Sequence, residues 1–314
     1  MPLAGTADST GTAEGRRSRD TPTRGASGGG TAAGRVPAAR AGPVRAARRL
    51  GKRALRQADR HFLVEGPQVV REAIAEDALT ELFATVDAEA RHRDLLETAA
   101  AHGVPVQRVG ADDLGTLAQT VHPQGLVGVA PFRDVPLADV LAAGPRLVVV
   151  LAHVRDPGNA GTVLRTADAA GADAVVFTAE SVDPYNGKCV RASAGSLFHL
   201  PFVAAAPVAD AVRGLREVGA CVVAADHRGS RDLDTAVAEG DLGGPTAWLF
   251  GNEAWGLRTP ERELVDLVVR IPIHGRAESL NLATAAAVCL YASARAQRAA
   301  GGCRSANRWA GPPG

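Results

Sequence analysis

The sequence predicts an α/β fold, in which a parallel sheet with helices on both faces is preceded by a smaller α/β domain and a disordered N-terminal tail. Two observations predict it. Short apolar runs alternate with amphipathic stretches from about residue 60 to residue 300. In the second half, runs such as RLVVVLAHV at 146–154 are continuous and β-branched, which is typical of strands buried on both faces of a parallel sheet.

Composition sets the broad class of the protein. A chain of 314 residues with 46% hydrophobic and 22% charged residues indicates a globular protein of about two domains and excludes collagen, coiled coil and wholesale disorder. No apolar run approaches the roughly 18 residues of a membrane span, and the N-terminus lacks the apolar core of a signal peptide. The four cysteines form no CxxC pair, which favours a reducing, cytoplasmic location.

Charge is divided unevenly along the chain. Residues 1–56 hold 12 Lys and Arg against three Asp and Glu, a net charge of +9, whereas the other 258 residues carry −8. The overall charge of +1 therefore conceals a basic arm on a mildly acidic body. This asymmetry predicts a polyanionic partner.

The basic arm has two parts. Residues 1–43 are rich in Gly, Ala, Ser, Thr, Pro and Arg and show no sustained period, so we expect a disordered tail. From Val44 a basic helix is predicted, and its cations stand at helical spacings suited to phosphate contacts; they are Arg48, Arg49, Lys52, Arg53 and Arg56. A solvated surface helix is the alternative.

The predicted organisation has five parts. A small α/β domain spans 44–131, a proline-punctuated linker spans 132–145, a larger α/β domain spans 146–301, and tails occupy 1–43 and 302–314. Predicted strands of the first domain are 62–64, 81–86, 104–109 and 125–130, and those of the second are 146–154, 173–178, 221–226, 246–251 and 267–273. A long final helix is expected from about Ser279 to Ala300. Ligand sites in such folds lie beyond the carboxyl ends of the strands.

Three loops at those ends have compositions that structure alone explains poorly. In RDPGNAGTVLRTADAAGA, Asn159 is placed to cap the next helix, and Arg165 lies six residues further on. A cap and a surface arginine are the plain alternative. In LFGNEAWGL, Gly251, Glu253 and Gly256 favour close approach of the backbone to a ligand, with free amides and carbonyls to bind an adenine edge, although a simple glycine turn would have the same composition.

The third loop lies in IPIHGRAESLNLATAAAVCLY, where a polar cluster interrupts two apolar segments. Ser279 suits a helix N-cap, whereas Asn281 is a poor residue for the first helical turn that would follow. Neither GxGxxG nor GxxxxGK[ST] occurs at the glycine loop, so the nicotinamide and P-loop fingerprints are absent.

The segments NAGTVLRTADAAGA, LFGNEAWGL and IPIHGRAESLNLATAAAVCLY resemble the three motifs of the SpoU/TrmH branch of the SPOUT superfamily. The members of this family are RNA ribose 2′-O-methyltransferases that use S-adenosylmethionine. The resemblance covers about 143–300, and the stretch from about 44 to 131, with FLVEGPQVVREA, is similar to the L30e-like RNA-binding domain that often precedes it. Residues 1–43 have no counterpart in the pattern.

The resemblance implies more than the residues do by themselves. It implies a sheet whose C-terminal segment threads a deep trefoil knot, and a homodimer in which Arg165 of one subunit serves the cofactor of the other. Backbone atoms of Gly251, Ile271 and Leu280 would hold S-adenosylmethionine. The family's polar catalytic positions match Asn159, Arg165, Glu253, Ser279 and Asn281.

Arg165 is expected to be essential, but its role is left open. A guanidinium with a pKa above about 12 does not readily act as a base. The alternative is that Arg165 binds the neighbouring phosphate and stabilises the developing alkoxide, while phosphate or water takes the proton.

Weaker candidates lie nearby. The segment SAGSLFHLPF also resembles a recurring family segment, in which Ser193 and Ser196 are candidate RNA contacts or simple helix-end residues. His153, His199 and His274 fall near the predicted site, but no pair has metal-ligand spacing, so no metal is expected.

These features favour an enzyme that methylates a ribose 2′-hydroxyl of structured RNA, with the extra domain favouring 23S ribosomal RNA over transfer RNA. The other hypotheses are a methyltransferase acting on transfer RNA and a non-catalytic RNA-binding protein on the same scaffold. A nucleotide-dependent oxidoreductase fits the sheet but lacks the glycine fingerprint.

Overall fold

The computed structural model describes residues 41–301. The predicted tail at 1–43, apart from its last three residues, and the segment 302–314 lie outside the described residues. None of the helices within 41–301 is both long enough and apolar enough to cross a bilayer.

Residues 41–131 form a four-stranded mixed sheet with helices around it. The elements are α1 (Ala41–Arg49), α2 (Arg53–Asp59), β1 (His61–Glu65), α3 (Pro67–Ala75), β2 (Glu81–Ala84), α4 (Val86–Arg91), α5 (Arg93–Ala101), β3 (Val106–Arg108), α6 (Ala111–Leu117) and β4 (Leu126–Pro131). The strand order is β1-β4-β2-β3, in which β4 runs antiparallel to both neighbours and β2 is parallel to β3. Side chains alternate between the faces, so that Phe62 and Val64 join one core and Leu63 the other.

The basic segment differs from the single helix that the sequence predicts. It forms two helices, α1 and α2, separated by a turn at 50–52. Arg48, Arg49, Lys52 and Arg53 are exposed, but Arg56 is only 4% exposed. Its guanidinium donates to the carbonyls of Leu50 and Gly51 at 3.0 and 3.1 Å and pairs with Asp183 at 2.6 Å. Arg56 is therefore wrong as a member of the outward-facing set, because the unpaired carbonyls after α1 and a buried carboxylate draw it inwards.

The second sheet is the predicted parallel one. Its elements are α7 (Leu137–Ala142), β5 (Leu147–Leu151), α8 (Pro157–Ala170), β6 (Ala174–Thr178), α9 (Gly187–Ser193), α10 (Ser196–His199), β7 (Phe202–Ala206), α11 (Val208–Glu217), β8 (Cys221–Ala225), β9 (Arg231–Asp232), α12 (Leu233–Ala238), β10 (Thr246–Phe250), α13 (Thr259–Glu263), β11 (Leu267–Arg270) and α14 (Leu282–Gly301). The order is β7-β6-β5-β10-β8-β11-β9, and every neighbouring pair is parallel.

Both faces of this sheet are covered. Along β5, Val149 and Leu151 enter one hydrophobic core and Val148 and Val150 the other, and all four are fully buried. Continuous β-branched sequence is what such a doubly covered strand requires. The predicted parallel sheet with helices on both faces is confirmed.

Three elements differ from the sequence-based expectation. Strand β7 was not predicted, since its core is FVAAA between Pro201 and Pro207 and alanine is a poor strand former. The two-residue β9 is too short to carry a pattern. Helix α7 lies inside the segment expected to be a linker.

An aromatic cluster joins the two sheets. The Tyr185 ring stacks on Phe132 with ring centroids 3.7 Å apart and lies 4.8 Å from the Phe62 ring. The Tyr185 hydroxyl donates to Asp134 Oδ1 at 2.6 Å and accepts from the backbone N–H groups of Arg133 and Asp134. Burial and the Asp134 carboxylate together raise the pKa of Tyr185 well above its usual range.

Two ion pairs lie beside this aromatic cluster. Arg56 meets Asp183, with both side chains 5% exposed, and Arg191 meets Glu65 at 2.7 Å. The contact between the two sheets therefore has an apolar centre and two charged pairs across it.

Candidate active site

The polar loops predicted to meet do meet. Strands β5 and β10 are neighbours in the centre of the parallel sheet, so the loops that follow them leave the same edge. An open cavity of about 770 Å³ lies there, within the usual size of a ligand pocket. Its walls are Arg155, Asp156, Asn159, Asn252, Glu253, Ala254, Trp255 and Asn281.

Three predicted residues form one hydrogen-bonded row in the wall of this cavity. Asn281 Nδ2 donates to Asn159 Oδ1 at 3.0 Å, and Asn159 Nδ2 donates to Glu253 Oε1 at 3.3 Å. Each residue comes from a different loop, so the row ties the three predicted motifs together. Sequence reasoning had placed them together only through the edge that their strands share.

Glu253 also positions the loop before α8. Its two carboxylate oxygens accept from the backbone N–H groups of Arg155 at 3.2 Å and Asp156 at 3.1 Å. Together with the contact from Asn159, the carboxylate receives three donors. A carboxylate held by three donors in this way has a fixed orientation in the cavity wall.

Helix α8 begins differently from the prediction. Asn159 was expected to cap it, but the cap is Asp156, whose Oδ1 accepts from the backbone N–H of Asn159 at 2.8 Å, with Pro157 in the first turn. Lys188 Nζ lies 2.7 Å from Asp156 Oδ2. The hydrogen bond from Lys188, followed by that from the Asn159 backbone, lowers the pKa of Asp156. Because Asp156 takes the cap, the Asn159 amide is left to face the cavity.

Helix α14 shows the reverse correction. Ser279 was expected to be its cap and Asn281 a misfit in its first turn, yet the helix begins at Leu282 and Asn281 caps it. Asn281 Oδ1 accepts from the backbone N–H groups of Ala283 at 2.9 Å and Thr284 at 3.4 Å. The Asn281 side chain thus caps the helix through its oxygen and reaches Asn159 through its nitrogen.

Gly251 is required by the shape of its own loop. A Cβ at this position would lie 2.4 Å from the Gly256 backbone, because the chain turns back where Asn252 and Gly256 exchange two 2.9 Å hydrogen bonds. No L side chain fits between the two sides of this turn.

The segment between β11 and α14 carries the other predicted cofactor contacts. Ile271 directly follows β11 at the same edge of the sheet, and Leu280 is 37% exposed. Within residues 41–301, the backbone groups of 272–280 form no hydrogen bond with other backbone groups. Free N–H and C=O groups next to a cavity are what backbone recognition of a purine edge requires.

Two predicted catalytic residues stand apart from the cavity wall. Arg165 is exposed on α8 and, within the described part of the chain, its side chain forms no hydrogen bond or ion pair. Ser279 is exposed in the segment before α14. The structure of the single chain therefore brings together Asn159, Glu253 and Asn281 but not Arg165 and Ser279.

Sequence reasoning missed several wall residues. Arg155, Asn252 and Trp255 lie beside the predicted positions, and a tryptophan next to a glycine in LFGNEAWGL was the available signal. In the structure the Trp255 side chain is 42% exposed. Ser193 and Ser196, weaker candidates for RNA contact, are buried, and the Ser193 hydroxyl donates to the Val190 carbonyl at 2.7 Å.

Among the described residues, no group of side chains is arranged to bind a metal ion. Among 41–301, no three His, Cys, Asp or Glu side chains are grouped to hold an ion. Cys189, Cys221 and Cys289 are free thiols. Burial raises the pKa of the thiols of Cys189 and Cys289, which disfavours their reactive thiolate form.

The fold and this site define a methyltransferase class. Residues 146–291 match the SpoU rRNA Methylase family, and residues 42–128 match the MRM3-like substrate binding domain. The chain belongs to the SpoU rRNA methylase family.

Its relatives are specific members of that family. The chain is 34% identical over 233 residues to the 23S rRNA (guanosine-2′-O-)-methyltransferase RlmB of Bordetella pertussis, covering 72% of this chain and 93% of that protein. It is 33% identical over 236 residues to the 23S rRNA (guanosine(2553)-2′-O)-methyltransferase RlmP of Bacillus subtilis, covering 73% and 87%.

Solved structures of methyltransferases have a similar fold. The AdoMet-bound rRNA methyltransferase from Sinorhizobium meliloti superposes with a TM-score of 0.71 at 33% identity, covering 82% of this chain and 96% of that one. The SpoU methyltransferase AviRb from Streptomyces viridochromogenes, in complex with AdoMet, superposes with a TM-score of 0.70 at 31% identity, covering 83% and 100%.

Proposed function

We propose that this protein transfers a methyl group from S-adenosylmethionine to a ribose 2′-hydroxyl of 23S ribosomal RNA. The observation that carries the proposal is the row Asn281–Asn159–Glu253 at the carboxyl edge of β5 and β10. The relatives named above act on 23S rRNA, and two similar structures hold AdoMet, which supports both the substrate and the cofactor.

The residues present fit this cofactor. The backbone of 272–280 offers unpaired donors and acceptors, and the turn at Gly251 brings main chain rather than side chain to the edge of the sheet. We propose backbone atoms of Gly251, Ile271 and Leu280 as the cofactor contacts. When bound, S-adenosylmethionine supplies an electrophilic methyl group on a sulfonium.

In the transfer, the ribose oxygen bonds to the methyl carbon, the carbon–sulfur bond breaks with its electron pair left on sulfur, and the hydroxyl proton leaves. The protein's task is to align the reactants and give the proton a path. Asn159, Glu253 and Asn281 form a fixed polar wall in which the Glu253 carboxylate is already committed to three donors. We propose that this wall positions the loop before α8 and orients the ribose, with Ser279 as a further polar contact.

Arg165 has a different task. A guanidinium is a poor base, so we propose that Arg165 serves as an electrostatic group. We propose that it binds the phosphate next to the target ribose and stabilises the developing alkoxide, while that phosphate or water accepts the proton. Its position away from the cavity wall supports a homodimer in which Arg165 completes the partner's site.

The smaller sheet is the proposed RNA-binding part. Arg48, Arg49, Lys52 and Arg53 are exposed around the turn between α1 and α2, within the segment matched by a substrate-binding model. We propose that these four cations contact RNA phosphates. Resemblance to the family supports further proposals: a trefoil knot in the catalytic domain, a cytoplasmic location, and the domain division at 44–131 and 146–301.

The test is to map 2′-O-methylated positions in total RNA from cells with and without the gene. We expect one position in 23S rRNA to lose its methyl group and to regain it with the wild-type gene. Rescue by Arg165→Ala would show the arginine assignment to be wrong. If no position changes, or if the lost site lies in transfer RNA, the proposed substrate is overturned.

Purified protein gives a second measurement. Transfer of tritium from labelled S-adenosylmethionine to ribosomal RNA separates an enzyme from a protein that only binds RNA. RNA binding without transfer would favour the non-catalytic alternative.

A further inference from the structure

His153 lies directly beneath the candidate active site, although it is not part of the cavity wall. It follows β5 by two residues, its side chain is 4% exposed, and its backbone φ is 57°. This left-handed conformation is unfavourable for an L residue, and glycine would adopt it freely. A bulky titratable side chain kept here at that cost calls for a function.

The imidazole lies between two carboxylates. Nε2 is hydrogen-bonded to Glu261 Oε1, and Nδ1 lies 2.9 Å from Glu180 Oε2 in an ion-pair contact that is not aligned as a hydrogen bond. The Glu261 hydrogen bond therefore fixes the orientation of the ring, and the Glu180 carboxylate adds a second close polar contact.

The other charged and aromatic groups around the ring are few. Arg258 donates to Glu180 Oε2 at 3.2 Å, and its guanidinium lies 5.0 Å from the centre of the Trp255 ring. The Trp255 ring lies 5.3 Å from the imidazole. The facing charged groups are therefore Glu180, Glu261 and Arg258.

The same residue anchors both ends of the loop that carries Glu253. At the start of the loop, the His153 carbonyl accepts from Asn252 Nδ2 at 2.8 Å. At its end, Glu261, which is bound to the ring, accepts from the Arg258 backbone N–H at 2.7 Å. Glu253 in turn holds the loop before α8 through Arg155 and Asp156.

We propose that His153 is a positioning residue that fastens the loop 252–258 to the loop after β5 and so sets the geometry of Glu253 and Trp255. It touches neither reactant and acts through Asn252 and Glu261. The inference rests on the proposed function for its effect on cofactor binding, but the anchoring itself does not depend on which reaction the site performs.

The first test uses His153→Gln and His153→Gly in the full chain. Glutamine keeps one donor without the charge, whereas glycine relieves the backbone strain but leaves the Glu261 carboxylate without its partner, so the folding of each variant is checked by thermal denaturation before affinities are compared. We expect both variants to bind S-adenosylmethionine about tenfold more weakly, as the loss of one charge-assisted hydrogen bond predicts. Glu261→Gln has the same effect, and the double variant with His153→Gln is no weaker than either single one.

A matched control is His199→Gln. His199 also lies between two carboxylates, Asp168 at 3.0 Å and Glu72 at 3.3 Å, but it is on α10 against α3 and outside the cavity wall. Its replacement leaves cofactor affinity unchanged. Wild-type affinity in a stably folded His153→Gly variant, or equal losses in the His199 control, would overturn the proposal.

The second test needs no cofactor. The emission of Trp255, isolated as the difference between the wild type and Trp255→Phe, reports the position of the loop because the Trp255 ring lies 5.3 Å from the imidazole. We expect this emission to change with His153→Gln and with Glu261→Gln but not with His199→Gln. Unchanged emission in the first two variants contradicts the proposal, whereas a failure of the wild type to bind S-adenosylmethionine contradicts only the proposed function.

Discussion

The side-chain amide of Asn281 donates to Asn159 Oδ1 at 3.0 Å, across 122 positions of sequence. Asn281 is at the same time the cap of α14, and Asn159 lies in the first turn of α8. One hydrogen bond therefore joins the beginnings of two helices, and both side chains face the candidate active site.

Asn159→Ala removes the middle of this row and leaves both helix caps intact, because Asp156 caps α8 and Asn281 keeps its contacts with α14. We expect single-turnover methyl transfer to fall by about 100-fold, as for a misplacement of about 1 Å. The stability of the protein should change little.

The control is Thr162→Ala on the same helix. Thr162 is exposed, and its hydroxyl donates only to the Gly158 carbonyl, at 2.8 Å. The assignment of Asn159 fails if the two variants transfer methyl groups at similar rates.

Arg56→Met tests the inward position of this arginine. Removal of the guanidinium leaves the Asp183 carboxylate buried without its partner, so the free energy of unfolding should fall by about 3–5 kcal/mol. Urea denaturation measures it. Arg53→Met, on the exposed face of the same helix, should change it by less than about 0.5 kcal/mol. Equal stability of the two variants, with RNA affinity lost only in Arg56→Met, would restore Arg56 as a phosphate contact.

The exposed cations lead to a different prediction. With Arg48→Gln and Arg53→Gln combined, RNA binding should weaken, and the slope of log affinity against log salt should fall by about 0.7 to 1 for each lost phosphate contact. Filter binding over a salt series measures both. The pair Arg213→Gln and Arg216→Gln removes the same charge from α11, where both arginines already pair with aspartates, and should change the slope far less. Similar slopes for the two double variants would mean that RNA binding depends on net charge alone and not on the positions of Arg48 and Arg53.

Asp156 should affect stability in a pH-dependent way. Its carboxylate caps α8 and pairs with Lys188, and these contacts lower its pKa in the folded protein. The stabilisation is therefore present above the ordinary aspartate pKa of 3.8 and is lost as pH falls through the lower, folded value.

Asp156→Ala should cost about 1 kcal/mol at neutral pH, the usual cost of losing a helix cap. Asp156→Asn keeps a cap oxygen without the charge and should cost less, since the exposed Lys188 pair contributes little. Denaturation at pH 7 and pH 3 tests this: the gap between wild type and Asp156→Asn should narrow at the lower pH, and a gap that widens there would contradict the assigned direction.

Much of the parallel sheet was predictable because the sequences of its strands indicate that both of their faces are buried. The run at β5 is apolar at every position and that at β10 at every position after Thr246, and only a strand covered on both faces requires this. Once these strands are placed side by side, Asn159 and Glu253 must lie near one another. Strand β7 carries no such pattern, since three of its five residues are alanines and its position depends on pairing with β6.

The incorrect predictions for Arg56 and for Ser279 and Asn281 share one cause, a contact that is distant in sequence. Helical spacing puts Arg56 on the basic face, but its partner Asp183 is 127 positions away and no local pattern reports it. Ser279 and Asn281 both suit a cap, and the choice between them depends on where the backbone enters the helix; in the structure Asn281 both caps α14 and contacts Asn159, which is 122 positions away.

The stacked rings of Phe132 and Tyr185, together with the buried pair of Arg56 and Asp183, have a consequence for how an RNA is selected. A joint with an apolar centre and an ion pair sealed inside it does not serve as a hinge, since opening it would expose both to water. The span from the exposed cations of α1 to the cavity beside Glu253 is therefore a fixed length. Under the function proposed above, an RNA would be selected by its folded shape, since a stretch of its backbone and the target ribose would have to lie apart by that length.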